Sequence, residues 1–220
     1  MIKRFLIFIK WFMVVTYEFF LGIFQVFYGV WQLSKLAKPR VTFFGGTIIK
    51  INSHFAKIAT RLAKELNKEG VSVITGGGSG IMQAANCGAR KGKSSSKTIG
   101  IYLDFPNQKI NRCLDQAIKI DSLVARSWLL MRYSEVYVFF PGGYGTLHEF
   151  MQLIVLISSK QIPQGPIILV GSDYWQPLID WLDQLEKEKY FSIKGQNSLY
   201  VLLDDFESIK CAVLGNCQLN

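Results

Sequence analysis

The amino-acid sequence predicts an α/β fold of the doubly wound, Rossmann-like type, a parallel sheet with helices on both faces, preceded by an apolar N-terminal helix. After Pro39, short apolar runs alternate with longer segments of helical periodicity. Glycine-rich turns follow two of the predicted strands and precede helices, as in folds that bind ligands at strand ends. The first forty residues are far more apolar than the rest, which predicts a boundary between residues 1–40 and a body of residues 41–220.

The elements of the body follow from these periodicities. The predicted strands are 41–44, 71–75, 98–103, 135–140, 166–170 and 199–203. The predicted helices are 52–69, 81–90, 145–158 and 174–187, and a further helical segment carries Arg126 and Arg132. In helix 52–69 the apolar residues fall on one face, and Gly70 ends the pattern.

The charge of the chain is concentrated at its N-terminus. The formal charge is +9, and residues 1–40 contribute six Lys or Arg and one Glu, a net +5 that leaves +4 for the body. No run of basic residues interleaved with aromatics occurs in the body. The sequence therefore predicts a small anionic ligand and no nucleic-acid partner.

The cysteines show no metal-binding or redox pattern. Cys87, Cys113, Cys211 and Cys217 form no Cys-x-x-Cys pair, and two His residues are too few to complete a zinc cluster with them. We therefore expect reduced thiols in a cytosolic body, without a metal site.

The N-terminal helix presents a narrow polar stripe on an apolar cylinder. The stripe recurs every seven or eight positions and consists of Lys3, Lys10, Glu18, Gln25 and Gln32. Such a helix can span a membrane, lie in the membrane interface, or pack against a partner subunit. Residues 11–33 are long enough to span, although Glu18 adds a cost of a few kcal/mol. The basic flanks and aromatic content favour membrane attachment, which predicts a protein on the inner face of the cytoplasmic membrane.

The glycine-rich turns predict a phosphate site. Glycines after a buried strand let the backbone approach a phosphate closely, and a helix beginning there directs its free N–H groups at the anion. Neither a Walker A sequence nor Gly-x-Gly-x-x-Gly is present. The candidate ligand-binding residues in the three strand-end turns are Gly45, Gly46, Thr47, Gly77, Gly78, Gly142, Gly143, Tyr144, Gly145 and Thr146.

A carboxylate follows the last of these turns. Glu149 lies four residues after Gly145, about one helical turn into the helix whose start would bind the phosphate. A glutamate buried there requires a partner, and Arg126 and Arg132 on the preceding helical segment are the candidates. Arg132 is also a candidate ligand-binding residue, with a helix-end or surface salt bridge as the equally weighted alternative.

Pro141 to Glu149 contains the sequence Pro-Gly-Gly-x-Gly-Thr-x-x-Glu, and on this motif the chain resembles the "Lonely Guy" (LOG) nucleotide phosphoribohydrolases, long mislabelled as lysine decarboxylases. The similarity extends over roughly residues 41–190, through Phe-Gly-Gly-Thr after the first strand, the Thr75–Asn86 segment and Gly-Ser-Asp-Tyr-Trp at 171–175.

The resemblance implies hydrolysis of the N-glycosidic bond of a purine nucleoside 5′-monophosphate, AMP or a cytokinin-type N6-modified AMP, without a cofactor. It implies Glu149 and Arg126 as catalytic residues, residues 142–146 as the 5′-phosphate site, and a homodimer. The alternatives are a non-catalytic nucleotide-binding or carrier protein of the same fold and a membrane-attached signalling or scaffold subunit.

The chain departs from the family pattern at two positions. Ser127 replaces the usual lysine after Arg126, which predicts the loss of a cation from the ligand side. His148 replaces a glutamate and is predicted to lie on the helix surface. The segment 104–108 is the predicted place for differences in substrate specificity.

Overall fold

A computed structural model of the chain describes residues 2–103, 109–191 and 199–217. The segment 104–108, to which the sequence assigns specificity, lies outside the described residues. The strands are β1 (Arg40–Phe44), β2 (Ser72–Thr75), β3 (Thr98–Tyr102), β4 (Gln116–Lys119), β5 (Val136–Phe139), β6 (Ile167–Val170) and β7 (Tyr200–Leu203). The helices are α1 (Ile2–Ser34), α2 (His54–Lys68), α3 (Ile81–Gly92), α4 (Leu123–Arg132), α5 (Tyr144–Ser158), α6 (Ser172–Lys187) and α7 (Phe206–Cys217).

Within these ranges the strands form one seven-stranded sheet in the order β4-β3-β2-β1-β5-β6-β7, and every pair is parallel. From β1 the chain winds outward through β2, β3 and β4, then returns to place β5 on the other side of β1. The predicted doubly wound α/β fold is confirmed. The point where the winding reverses lies between β1 and β5, and ligands bind at such switch points in open α/β sheets.

The sheet separates two apolar cores, which make the fold three layers thick. One core packs buried residues of α4, α5 and α6 against one face, with the aromatic group Phe139, Phe150 and Trp175 at its centre. The other core packs α2, α3 and α7 against the opposite face. The strands are apolar on both sides because both faces are covered.

The last third of helix α1 is docked on the body. Leu33 and Leu36 are buried in the core of α4 to α6, and Gly29 fits against Leu129 of α4. The Gln25 amide donates to Asp121 Oδ2 over 2.6 Å and accepts from the Asp121 backbone N–H over 2.9 Å. The end of α1 is therefore part of the folded body, although the strongly apolar composition of the N-terminal segment ends only near residue 40.

Two elements of the body, β4 and α7, are missing from the sequence-based assignment. The strand β4 lies at the edge of the sheet and alternates half-buried, exposed and buried positions. Its sequence Gln-Ala-Ile-Lys contains no apolar run that would have indicated a strand. The other strands and helices are present, with ends that differ from the predicted ones by a few residues.

The cysteine prediction is wrong for one pair. Cys87 on α3 and Cys113 in the segment before β4 form a disulfide, with their Cα atoms 4.8 Å apart. The two residues are 26 positions apart in the sequence. The crossover through β3 brings them together, and no local spacing signals such a contact. Cys211 is a free, exposed cysteine.

Candidate active site

Three strand-end turns meet at the switch point of the sheet. The turn after β1 is bonded to the turn after β5, because the Gly46 N–H donates to Pro141 O over 2.9 Å. It is also bonded to the turn after β2, since the Ile81 N–H donates to Gly46 O over 3.2 Å and the Ser79 hydroxyl donates to Thr47 O over 2.9 Å. These bonds fix the turns relative to one another and give the site a rigid floor.

A cavity of about 500 Å³ opens above these turns. This volume is in the usual range for small-molecule sites. Its glycine and threonine residues come from the turns after β1, β2 and β5, and its two charged residues come from α4 and α5. The lining residues are Phe43, Phe44, Gly45, Gly46, Thr47, Gly76, Met82, Leu103, Leu123, Arg126, Gly143, Tyr144, Gly145, Thr146 and Glu149.

Arg126 lies in the first turn and a half of α4, a helix that begins at the Ser122 N-cap. Its guanidinium passes next to Gly76, where a side-chain Cβ would overlap Arg126 Nη2. Its Nε donates to Ile101 O of β3 over 3.2 Å. The absence of a side chain at Gly76 therefore lets the arginine reach the cavity, and the backbone of β3 holds it there.

Glu149 is on the buried face of α5 and is 7% exposed. Its Oε1 accepts from Arg126 Nη1 over 2.7 Å. Burial raises the pKa of Glu149 above its ordinary value, and the charge and hydrogen bond of Arg126 counteract part of this rise. The cavity thus contains a carboxylate whose ionised form depends on one arginine.

The N-terminus of α5 forms the side of the cavity opposite β2. Gly143 and Gly145 have open space where a Cβ would be, so a ligand can approach their backbone closely. Gly142 is different, because a Cβ there would overlap the Thr146 hydroxyl. Its carbonyl accepts from Tyr174 OH over 2.6 Å, which fixes the turn from the α6 side. Free N–H groups at this helix start can bind an anion.

Most of the sequence-predicted site residues lie together in this cavity, and four candidates, Gly77, Gly78, Arg132 and Gly142, lie outside its lining. Gly77 and Gly78 are outside the lining, and Gly76 takes their place. The Gly77 N–H donates to Thr75 Oγ1, and Gly78 O accepts from Asn111, so the two residues shape the turn. Arg132 is two turns beyond Arg126 at the end of α4, where its Nη1 donates to Gln161 O over 3.0 Å.

The structure also corrects the interpretation of Ser127. One residue after Arg126 on a helix is about 100° away, and this rotation turns Ser127 from the cavity into the core. Its side chain is fully buried, and in the described part of the chain its Oγ has no hydrogen-bond partner. His148 is exposed, as the helix-surface assignment predicts.

Sequence reasoning missed the apolar part of the lining. Met82, Leu103 and Leu123 come from the starts of two helices and the end of a strand, positions that are apolar for packing in any α/β protein. Gly76 was within the recognised glycine run, but only its contact with Arg126 distinguishes it from its neighbours. In the ranges that the structure describes, no group of three or more His, Cys, Asp or Glu could hold a metal ion.

The family assignment follows from the sequence of this site region. A family model described as "Possible lysine decarboxylase" matches residues 82–212, more than half of the chain, including both Arg126 and Glu149. The chain belongs to this family. Its curated relatives carry the LOG name, which confirms the resemblance seen in the Pro141–Glu149 motif.

Two of these LOG relatives come from plants. The cytokinin riboside 5′-monophosphate phosphoribohydrolase LOG of Oryza sativa subsp. japonica is 23% identical over 157 residues, which are 70% of this chain and 64% of the relative. The enzyme of the same name numbered LOG3 in Arabidopsis thaliana is 26% identical over 169 residues, 73% of this chain and 75% of the relative. The chain spans less than two thirds of the length of rice LOG, and 63% of the length of the rice relative LOGL5.

Solved structures share the LOG-type fold of this chain. The molybdenum cofactor binding protein of Rippkaea orientalis superposes with a TM-score of 0.61 at 24% identity, over 84% of this chain and 99% of that one. The molybdenum cofactor carrier protein of Chlamydomonas reinhardtii superposes with a TM-score of 0.60 at 23% identity, over 81% and 98%. At these identities the likeness concerns the fold alone.

Proposed function

We propose that this LOG-family chain is a hydrolase that cleaves the N-glycosidic bond of a purine nucleoside 5′-monophosphate, AMP or an N6-modified AMP of cytokinin type. The products are the free base and ribose 5-phosphate. The observation that carries the proposal is the Arg126–Glu149 ion pair inside the switch-point cavity, in a chain whose plant relatives are named for this reaction.

The phosphate is assigned to the start of α5. There Gly143 and Gly145 leave room for a ligand against the backbone, and Thr146 adds a hydroxyl. The N–H groups and partial positive charge of a helix start favour a phosphate dianion. The ribose and base then extend towards Glu149 and the apolar lining of Met82, Leu103 and Leu123.

The reaction passes through a ribosyl group with developing positive charge at C1′. Water adds its oxygen to C1′, the bond from C1′ to the base nitrogen breaks with its electron pair leaving on the base, and the proton released from water balances that charge. An ionised Glu149 stabilises the positive charge and orients the water. Arg126 favours ionisation of Glu149 and adds a positive charge that helps hold the anionic substrate.

The test is release of free base by the purified full-length chain. The protein is incubated separately with AMP and with N6-isopentenyl-AMP, and base and ribose 5-phosphate are separated by chromatography. Glu149→Gln and Arg126→Ala are each expected to lower kcat by about 100-fold or more. Arg132→Ala is the matched control on the same helix, because Arg132 lies outside the cavity lining.

Two outcomes would overturn the assignment of hydrolase activity. No base release from either nucleotide, with nucleotide binding retained in a dialysis measurement, would favour the carrier alternative on the same fold. Base release that is unaffected by both site variants would place the chemistry elsewhere.

A further inference from the structure

The first part of α1 is exposed, and apart from Lys10 and Thr16 its residues 5–17 are apolar. Leu6 to Ile9 are successive residues and cover a full helical turn, and each is exposed. The aromatic side chains in this part, Phe5, Phe8, Trp11, Phe12, Phe19 and Phe20, are each at least 62% exposed. The helix is long and apolar enough to cross a membrane, and its most apolar stretch of eighteen residues is not buried against the body.

The first part of α1 continues into a part of the same helix that is docked on the body. The same continuous helix carries Gln25, which is bonded twice to Asp121, and Leu33, which is fully buried. Cleavage after residue 20 would leave the docked third of α1 in place. Cleavage after Ser34 would remove Leu33 from the core. A helix that is apolar over most of its circumference requires an apolar environment, and the body does not provide one for residues 3–20.

The length of residues 3–20 matches a bilayer, and except for Lys10 near the middle their charged residues lie at the two ends. Eighteen helical residues are about 27 Å long, close to the hydrocarbon thickness of about 30 Å. Between Arg4 and Glu18, Lys10 is the only charged residue. Lys3 and Arg4 at one end suit headgroups, and Glu18 at the other end lines the same groove as Ser122 of the body.

We propose that residues 3–20 of α1 span a lipid bilayer and that the body is held against the membrane surface by the first turn of α4. Leu123 and Val124 in that turn are 50% and 74% exposed, and Val124 borders the groove between α1 and α4. Leu123 also lines the candidate active-site cavity, so this edge of the cavity faces the membrane. The proposal does not depend on which reaction the cavity catalyses.

The experiment uses the full chain with Lys3→Cys, produced in a bacterial host. Membranes are washed with alkaline carbonate, which releases peripheral proteins. Sealed inverted vesicles and spheroplasts are then treated separately with a membrane-impermeant maleimide, and labelled cysteines are identified by peptide mass. Cys211 is exposed on the body and reports its side of the membrane.

The proposal predicts that the protein stays in the washed pellet with its N-terminus intact, and that the cysteine at position 3 and Cys211 are labelled from opposite sides. Labelling of both from one side would show a helix lying in the interface and would overturn the span. Release of the protein into the supernatant, or an N-terminus beginning after residue 20, would overturn membrane insertion. If the released protein formed dimers, the apolar part of α1 would instead pack against a second copy of the chain.

A pair of variants tests the depth of insertion. Phe12→Arg places a charge near the middle of the proposed span and is expected to raise the carbonate-extracted fraction about tenfold. Ile51→Arg is the control, because Ile51 is an exposed apolar residue of the body. Equal extraction of the two variants would contradict a span centred on this part of α1.

Discussion

The guanidinium of Arg126 and the carboxylate of Glu149 meet inside the switch-point cavity, with Nη1 2.7 Å from Oε1. The two residues belong to different helices, α4 and α5, which flank the β5 strand in the sequence. The pair is largely buried, with side-chain exposures of 15% and 9%, and water screens it less than a surface pair.

Gly76→Ala should impair catalysis more than it impairs folding. The added Cβ would overlap Arg126 Nη2, and the flexible end of the arginine would move away from Glu149. Displacing a catalytic group by about 1 Å can cost about 100-fold in rate, so we expect kcat to fall by about 10- to 100-fold. The measurement is kcat for base release beside the melting temperature.

Gly215→Ala is the matched control, because the Cβ would enter open space on α7. A glycine-to-alanine change inside a helix raises stability by about 0.5–1 kcal/mol without affecting the site. If Gly76→Ala retained full activity, the close packing of Arg126 against this glycine would have no catalytic role.

The rate should fall at acidic pH through the titration of Glu149. Burial raises the pKa of Glu149 above 4.5, its ordinary value, and the proposed chemistry uses the ionised form. We therefore expect kcat/KM to decrease as the pH falls through this raised pKa, with the slope of one proton. A profile that stays flat down to pH 4.5 would contradict the raised pKa or the role of the carboxylate.

The same pKa shift predicts a pH-dependent difference in stability. Because the folded state binds the Glu149 proton more tightly than the unfolded state, its contribution to stability is complete below pH 4.5 and is lost as the pH rises through the folded pKa. Glu149→Gln removes this loss. The unfolding free energy of the variant minus that of the wild type should increase with pH across this window, measured by urea unfolding. A constant difference would contradict the prediction.

Loss of the Cys87–Cys113 disulfide should destabilise the fold. The bond closes a loop over a sequence separation of 26 residues, and chain entropy assigns such a loop about 3 kcal/mol. Cys87→Ala with Cys113→Ala should lower the unfolding free energy by about this amount in urea titrations. Cys211→Ser is the control, since that thiol is exposed and free. Identical stability of wild type and double variant under oxidising conditions would show that the bond does not form.

Ser127→Ala should stabilise the protein, because it removes a buried hydroxyl that has no hydrogen-bond partner in the described structure. We expect a gain of about 1 kcal/mol in unfolding free energy. Ser127→Lys, which restores the residue usual in the family, should instead destabilise the fold, since the position is fully buried. Tighter nucleotide binding by Ser127→Lys would show that the position faces the ligand.

The sequence predicted the sheet well where burial on both faces requires continuous apolar strands. It failed at β4, because an edge strand needs no such run and its polar residues resemble a loop. The glycine-rich turns and the Pro141–Glu149 motif also predicted most of the cavity, since their residues are adjacent in sequence. The sequence assigned Gly77, Gly78 and Arg132 to the site because they are close in the chain to residues of the site. In the structure they lie outside the cavity lining, because the turn at Gly77 and Gly78 and the side chain of Arg132 point away from it.

The sequence by itself determined the alternation of strands and helices, the family and the positions of Glu149 and Arg126, because these depend on local patterns of a few residues. Only the tertiary structure decided which arginine pairs with Glu149 and which glycine leaves room for that arginine. It also decided which cysteines pair and where α1 leaves the body. Those choices join residues of distant segments, and the order of the strands in the sheet sets their distances. The pairing of Arg126 with Glu149 thus follows from the placement of α4 and α5 around the switch point.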